Sequence, residues 1–179
     1  MTTDLVRALV FTCEHGGNRV PAELRALFPP TDALFHSHRG WDPGALAIAR
    51  AVARAFSAPL VYATISRLVV DPNRSPHHPE LFSKWTRALP ADERRALFEK
   101  YWRPHREAVD SALDAVVAAR GRVVHLGLHS FTPVLRGARR PFEIGLLYNP
   151  ERPGERALAR QIQAGLEAAE PRWRIRMNR

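Results

Sequence analysis

The sequence predicts an α/β protein: a three-layer αβα arrangement around a mixed, mainly parallel sheet. Two observations carry this. Short apolar runs alternate along the chain with longer segments whose apolar residues recur near a 3.6-residue period, the mark of strands interleaved with helices. Polar side chains are concentrated where the apolar runs end, and open α/β sheets build their ligand sites at the carboxyl ends of strands.

In chain order, residues 5–12 read as a near-continuous buried strand and 21–28 as a short helix with Pro21 at its favoured first position. Residues 43–56 carry Leu46, Ile48, Ala49, Val52, Ala53 and Phe56 on one stripe, which makes the first clear amphipathic helix. A second strand is expected over 59–64, with a further short one over 68–70. Residues 92–120 form a long helical region in which Pro104 predicts a break or kink near Arg103. Strands over 123–128 and 142–148, a helix over 155–169 and a last strand over 172–177 complete the pattern. Residues 73–90 are the loop long enough to act as a flap.

A length of 179 residues suits one domain with a single sizeable core. Apolar residues make up 45% and charged residues 25%, a globular balance, and the apolar stretches fall short of the ~18–20 residues a membrane span needs. The first residues, Met1 to Asp4, lack a secretory pattern, and the lone cysteine, Cys13, excludes an intrachain disulfide, so a cytoplasmic protein is expected. The formal charge of +9 comes almost wholly from arginine, with lysine only at Lys84 and Lys100, and is spread along the chain. No zinc-finger or RNP-like motif accompanies it, so neither a nucleic-acid nor a membrane partner is expected; the arginines suit an acidic small molecule, whose carboxylates guanidinium forks match.

The chemistry-bearing residues fall at element ends. The first strand runs into Cys13-Glu14-His15-Gly16-Gly17-Asn18, the 123–128 strand into His129-Ser130-Phe131-Thr132, and the 68–70 segment into Asp71-Pro72-Asn73-Arg74. His38-Arg39-Gly40-Trp41-Asp42 precedes the second helix. Singly, each has a bland reading: Asp42 as an N-cap, the glycine pair as a tight turn, His125 as a core histidine, Arg67, Asn73 and Arg74 as solvated loop residues.

Together, the segments Cys13 to Pro21, His38 to Ala45, Ser66 to Arg74 and Leu128 to Pro133 resemble, in that order, the N-formylglutamate amidohydrolase family, itself distantly similar to zinc carboxypeptidases and aspartoacylase. The resemblance implies a carboxypeptidase-like (phosphorylase/hydrolase-like) fold and a divalent metal, zinc first, bound by His15 and His129. It implies that Asn73 and Arg74 hold the substrate carboxylate, and that Arg67 polarises the scissile carbonyl. Position 18 departs from it: Asn18 stands where the wider group keeps a glutamate ligand, and neutral asparagine is a poor zinc ligand. Asp42 is therefore the favoured acidic ligand, with Glu14 as the alternative and His38 as the residue that orients Asp42. The resemblance further implies a C-terminal stretch bearing a glutamate base, which a chain ending at Arg179 lacks; Glu143, at the start of its strand, is a poor substitute. The expected activity is hydrolysis of the N-acyl, specifically N-formyl, amide of an acidic amino acid; the alternative is a degenerate relative that binds a carboxylate without hydrolysis.

Overall fold

The computed structural model describes residues 8–31, 33–135 and 137–178, and these form two compact units, one ending at Phe131 and the other beginning at Thr132.

The first unit is built on a three-stranded parallel sheet of order β2-β1-β3: β1 Leu9–Cys13, β2 Leu60–Tyr62 and β3 Val124–Gly127. Its helices are α1 Ala33–His36, α2 Ala45–Ala55, α3 Ala91–Leu97 and α4 Arg103–Arg120. β1 is buried at every residue because it is the central strand, pairing Phe11 with Leu60 on one side and with Leu126 on the other. The two-residue alternation divides it between two layers. Leu9, Phe11 and Cys13 pack with Ala45, Ala49 and Ala53 of α2, a small-residue stripe that lets the helix lie close. Val10, Thr12 and Glu14 point the other way, toward the face on which α4 packs with Val109 and His105 buried. A second core joins Phe28, Phe35, Val69, Val70, Leu81, Leu97 and Trp102.

Several expectations are corrected. The expected strand over 5–12 is β1 from Leu9, its first three residues lying outside those described. The short helix expected over 21–28 is present as a 3₁₀ helix, Ala22–Leu27. The 68–70 run is fully in the core but forms a turn, Val69 N donating to Ser66 O at 2.9 Å; a short apolar run marks burial without specifying extended backbone. The disturbance expected near Arg103 takes the form of a change of helix type, with no gap in the helical region. The turn before Pro104, Phe98–Trp102, is π-helical, and this wider turn relieves the clash that proline makes with the preceding carbonyls. The 73–90 segment is anchored to the core by Leu81 and by Thr86, whose hydroxyl reaches Leu68 O at 3.4 Å.

In the second unit a hairpin, β4 Val134–Leu135 with β5 Ala138–Arg139, precedes a βαβ element: β6 Ile144–Leu146, α5 Pro153–Ala169 and β7 Ile175–Met177, the two strands pairing in parallel. Pairing among the described residues thus resolves into one three-stranded and two two-stranded sheets. No helix among the described residues is long and apolar enough to cross a membrane.

Candidate metal centre

β1 ends at Cys13, and the chain then runs beside the backbone of residues 63–64. A Cβ at Gly16 would lie 2.9 Å from Ala63 O, and one at Gly17 2.5 Å from Thr64 O, so the glycine pair is required by close backbone approach, without any positive φ. This approach sets His15 at the C-terminal end of the sheet. His15 is only 2% exposed, its Nε2 donating to Asp71 Oδ1 at 2.7 Å while its Nδ1 has no hydrogen-bond partner. That Nδ1 faces Asp42 Oδ2 at 3.4 Å.

Asp42 does not cap the following helix; Gly44, at φ 81°, occupies the cap position and no side chain bonds the free N–H groups. The Asp42 backbone is instead tied to the end of β1, its N–H donating to His15 O at 2.9 Å, and its carboxylate turns inward. Asp42 Oδ2 accepts from His129 Nδ1 at 2.8 Å and from Ser130 N at 3.4 Å. His15, Asp42 and His129 each offer a ligand atom within 4.8 Å of the others, a cluster that could hold a metal ion. His15 and Asp42 are buried, and His129 leaves 35% of its side chain open, giving the cluster one solvent-facing side.

Two further carboxylates surround it. Glu14 Oε2 lies 3.3 Å from His129 Nε2, on the side opposite Asp42. Asp71 Oδ2 accepts from Arg67 Nη2 at 2.9 Å, and its Oδ1 also accepts from Asn73 N at 3.0 Å. The resulting field is strongly negative. Burial alone would raise Glu14, but the hydrogen bonds from His129 and Thr12 outweigh it and hold the carboxyl at about 2. Asp42 likewise resists burial through His129 and His15, and stays far below the usual carboxylate range. The Asp42 and then Glu14 hydrogen bonds lift His129 to about 9; His15 is raised as well, Asp42 and Asp71 overcoming its burial. An arrangement that draws protons onto two imidazoles is one that also draws a divalent cation.

The remaining site candidates stand as follows. Arg67 Nη1 lies 3.8 Å from Asp42 Oδ1, so this arginine spans the Asp42 and Asp71 carboxylates. His38 touches Ser130 Oγ at 3.1 Å and reaches Asp42 only through Ser130. Arg74 pairs with Glu80 at 3.2 Å and lies 3.8 Å from Asp71, while the Asn73 side chain is exposed. Glu143, in the second unit, is taken up by Arg174 at 2.6 Å. Cys13 is fully buried and its thiol is pushed up to about 12, by burial first and then by Glu14 and Asp42, so it is no nucleophile. His125 is no core residue; its Nε2 lies 2.9 Å from Thr12 Oγ1. Sequence reasoning passed over Asp71 as a partner of His15. The available signal was its place at the head of the Asp-Pro-Asn-Arg motif.

Fold and cluster together define an α/β protein with a two-histidine, one-carboxylate constellation able to hold a metal ion. The chain belongs to the N-formylglutamate amidohydrolase family, whose model matches residues 7–179. Membership of that family points to amidohydrolase chemistry. Among solved structures, gene product Atu2144 from Agrobacterium tumefaciens superposes with a TM-score of 0.81 at 35% identity, over 96% of this chain and 68% of that one. The N-formylglutamate amidohydrolase from Ralstonia eutropha JMP134 superposes with a TM-score of 0.69 at 21% identity, over 96% and 71%, a likeness of fold. No curated protein matches the chain.

Proposed function

We propose that the chain is a metal-dependent amidohydrolase that cleaves the N-acyl amide, specifically the N-formyl amide, of an acidic amino acid such as N-formyl-glutamate. The observation that carries this reading is the buried His15 Nδ1, which makes no hydrogen bond and faces, at 3.4 Å, the carboxylate that His129 shares. An orphaned buried nitrogen costs stability unless something binds it. Two imidazoles and a carboxylate fit a catalytic zinc donor set, and suit iron, cobalt or nickel next. Such an ion would supply Lewis acidity toward an amide carbonyl and toward water.

The protein's own residues do the rest. Asp71 accepts the His15 Nε2 proton, which fixes the tautomer and keeps the Nδ1 lone pair directed at the cluster. Arg67, anchored through Nη2 on Asp71 and 25% exposed, keeps N–H groups free to meet negative charge developing on a carbonyl oxygen. Asn73 and Arg74 grip the carboxylate of the amino acid and so select which amide is presented. His38 holds Ser130, whose N–H steadies Asp42.

Formate release from N-formyl-glutamate by the purified chain, before and after chelation and re-metallation, tests this. Activity that chelation abolishes, re-metallation restores and His129→Ala lacks is the expected result. Ligand binding without any turnover in the metal-loaded protein would mean a carboxylate-binding relative instead.

A further inference from the structure

The Asn73–Arg74 turn and the start of α4 line a cleft of ≈ 500 Å³, bordered by Asn73, Arg74, Arg103, Arg106, Glu107 and Asp110 among others and tied to the His15 cluster through the Arg74–Asp71 contact at 3.8 Å. Trp102 fastens the two sides together: its Nε1 donates to Arg74 O at 2.9 Å. Trp102, Arg106 and Asp110 follow at four-residue spacing, so they share one helix face, and the Trp102 bond sets Arg106 across the cleft from Arg74.

The three guanidinium groups of this cleft are not equivalent. Arg103 gives both Nε and Nη2 to Glu99, a closed two-pronged pair within the helix. Arg74 is shared between Glu80 and Asp71, the latter bonded in turn to His15. Arg106 makes one long contact, Nη2 to Asp110 Oδ1 at 3.4 Å, and that carboxylate is 60% exposed. Most of its five N–H donors are thus uncommitted to protein groups that the described hydrogen bonds record.

On the basis of the proposed activity, we infer that Arg106 determines specificity by receiving the second carboxylate of an N-acylated dicarboxylic amino acid whose first carboxylate Asn73 and Arg74 hold. A ligand carboxylate in the cleft gains charge-assisted, potentially two-pronged bonds in place of one 3.4 Å contact, and Asp110 returns to water at little cost. The corresponding side-chain amide gains no ion pair with Arg106, while its N–H groups can still donate to Glu107 and Asp110, so discrimination rests on the Arg106 ion pair alone.

Calorimetric titration of the metal-free chain with glutarate and with butyrate tests the inference without requiring turnover. The wild type is expected to favour glutarate by ~10–100-fold, the range that hydrogen bonds between charged groups supply. Arg106→Ala is expected to reduce the preference to below about threefold through loss of glutarate affinity, and Arg106→Lys to recover part of it. A wild type without preference, or an alanine variant that keeps it, overturns the inference. The kcat/KM ratio of N-formyl-glutamate to N-formyl-glutamine separates the two readings: hydrolysis with an Arg106-independent ratio removes only this inference. A wild-type glutarate preference that Arg106→Ala abolishes, in a protein without turnover, removes only the proposed activity.

Discussion

His15 and Asp71 are joined by a 2.7 Å bond between Nε2 and Oδ1, made entirely within the protein interior although the residues lie 56 positions apart. Through the same carboxylate pass the anchors of Arg67 and of the Asn73 backbone, so one side chain orients an imidazole and a guanidinium at once. Asp71→Asn keeps the size of the side chain but removes the charge that holds both partners. It is expected to weaken zinc affinity by ~10–100-fold, read by competition with a metallochromic chelator. An unaltered affinity would show that His15 is oriented by something else.

Arg67→Ala separates transition-state from ground-state roles. The guanidinium faces Asp71 and the cluster's Asp42 without being consumed by them, its contact with Asp42 being 3.8 Å long. Turnover of N-formyl-glutamate is expected to fall by ~10²–10³ with KM little changed. A rise in KM at constant kcat would reassign Arg67 to substrate binding.

Metal-free protein should lose stability between neutral and alkaline pH. His129 binds its proton more tightly when folded, near 9 against an ordinary 6.5, so its contribution is complete below about 6.5 and disappears as pH rises through 9. Glu14 acts at the other end: held at about 2 against 4.5, it contributes above 4.5 and ceases to as pH falls through 2. Calorimetric Tm of the chelated protein over pH 6 to 10 checks the first limb. Saturating zinc, which competes with the proton for the same lone pairs, should abolish the decline. A flat profile without metal would contradict the Asp42–His129–Glu14 arrangement.

Gly17→Ala places a methyl group 2.5 Å from Thr64 O, a backbone atom that cannot rotate away. The substitution is expected to cost about 1–3 kcal/mol, as overpacking of rigid interiors does, and to move His15 with it. Urea denaturation measures the first effect and zinc affinity the second. Gly154→Ala, in a helix with nothing within 4 Å, is the control and should not destabilise.

Much of this protein was legible in residue order. The buried strand before Cys13, the α2 helix, the β3 strand and the βαβ element near the C-terminus follow from apolar periodicity, although the stripe expected on α2 is only partly the buried one: Ala49 and Ala53 are buried with Ala45, while Ile48 and Phe56 are exposed. His15 and His129 stand out because a site at strand ends needs polar residues where the apolar runs stop; Asp42, Arg67, Asn73 and Arg74 are singled out by the family resemblance of their segments. Tertiary structure decided the remainder. Residues 68–70 carry a strand's composition and form a turn, because composition reports burial and pairing depends on a neighbouring strand being present. Pro104 sits inside a continuous helical region because a π turn makes room for it. That Asp42 faces His129 instead of capping its helix, that Asp71 orients His15, and that Arg106 shares a cleft with Arg74 are contacts across tens of residues. No local pattern encodes such contacts; they exist only once the fold brings loops and helices distant in sequence together around the sheet.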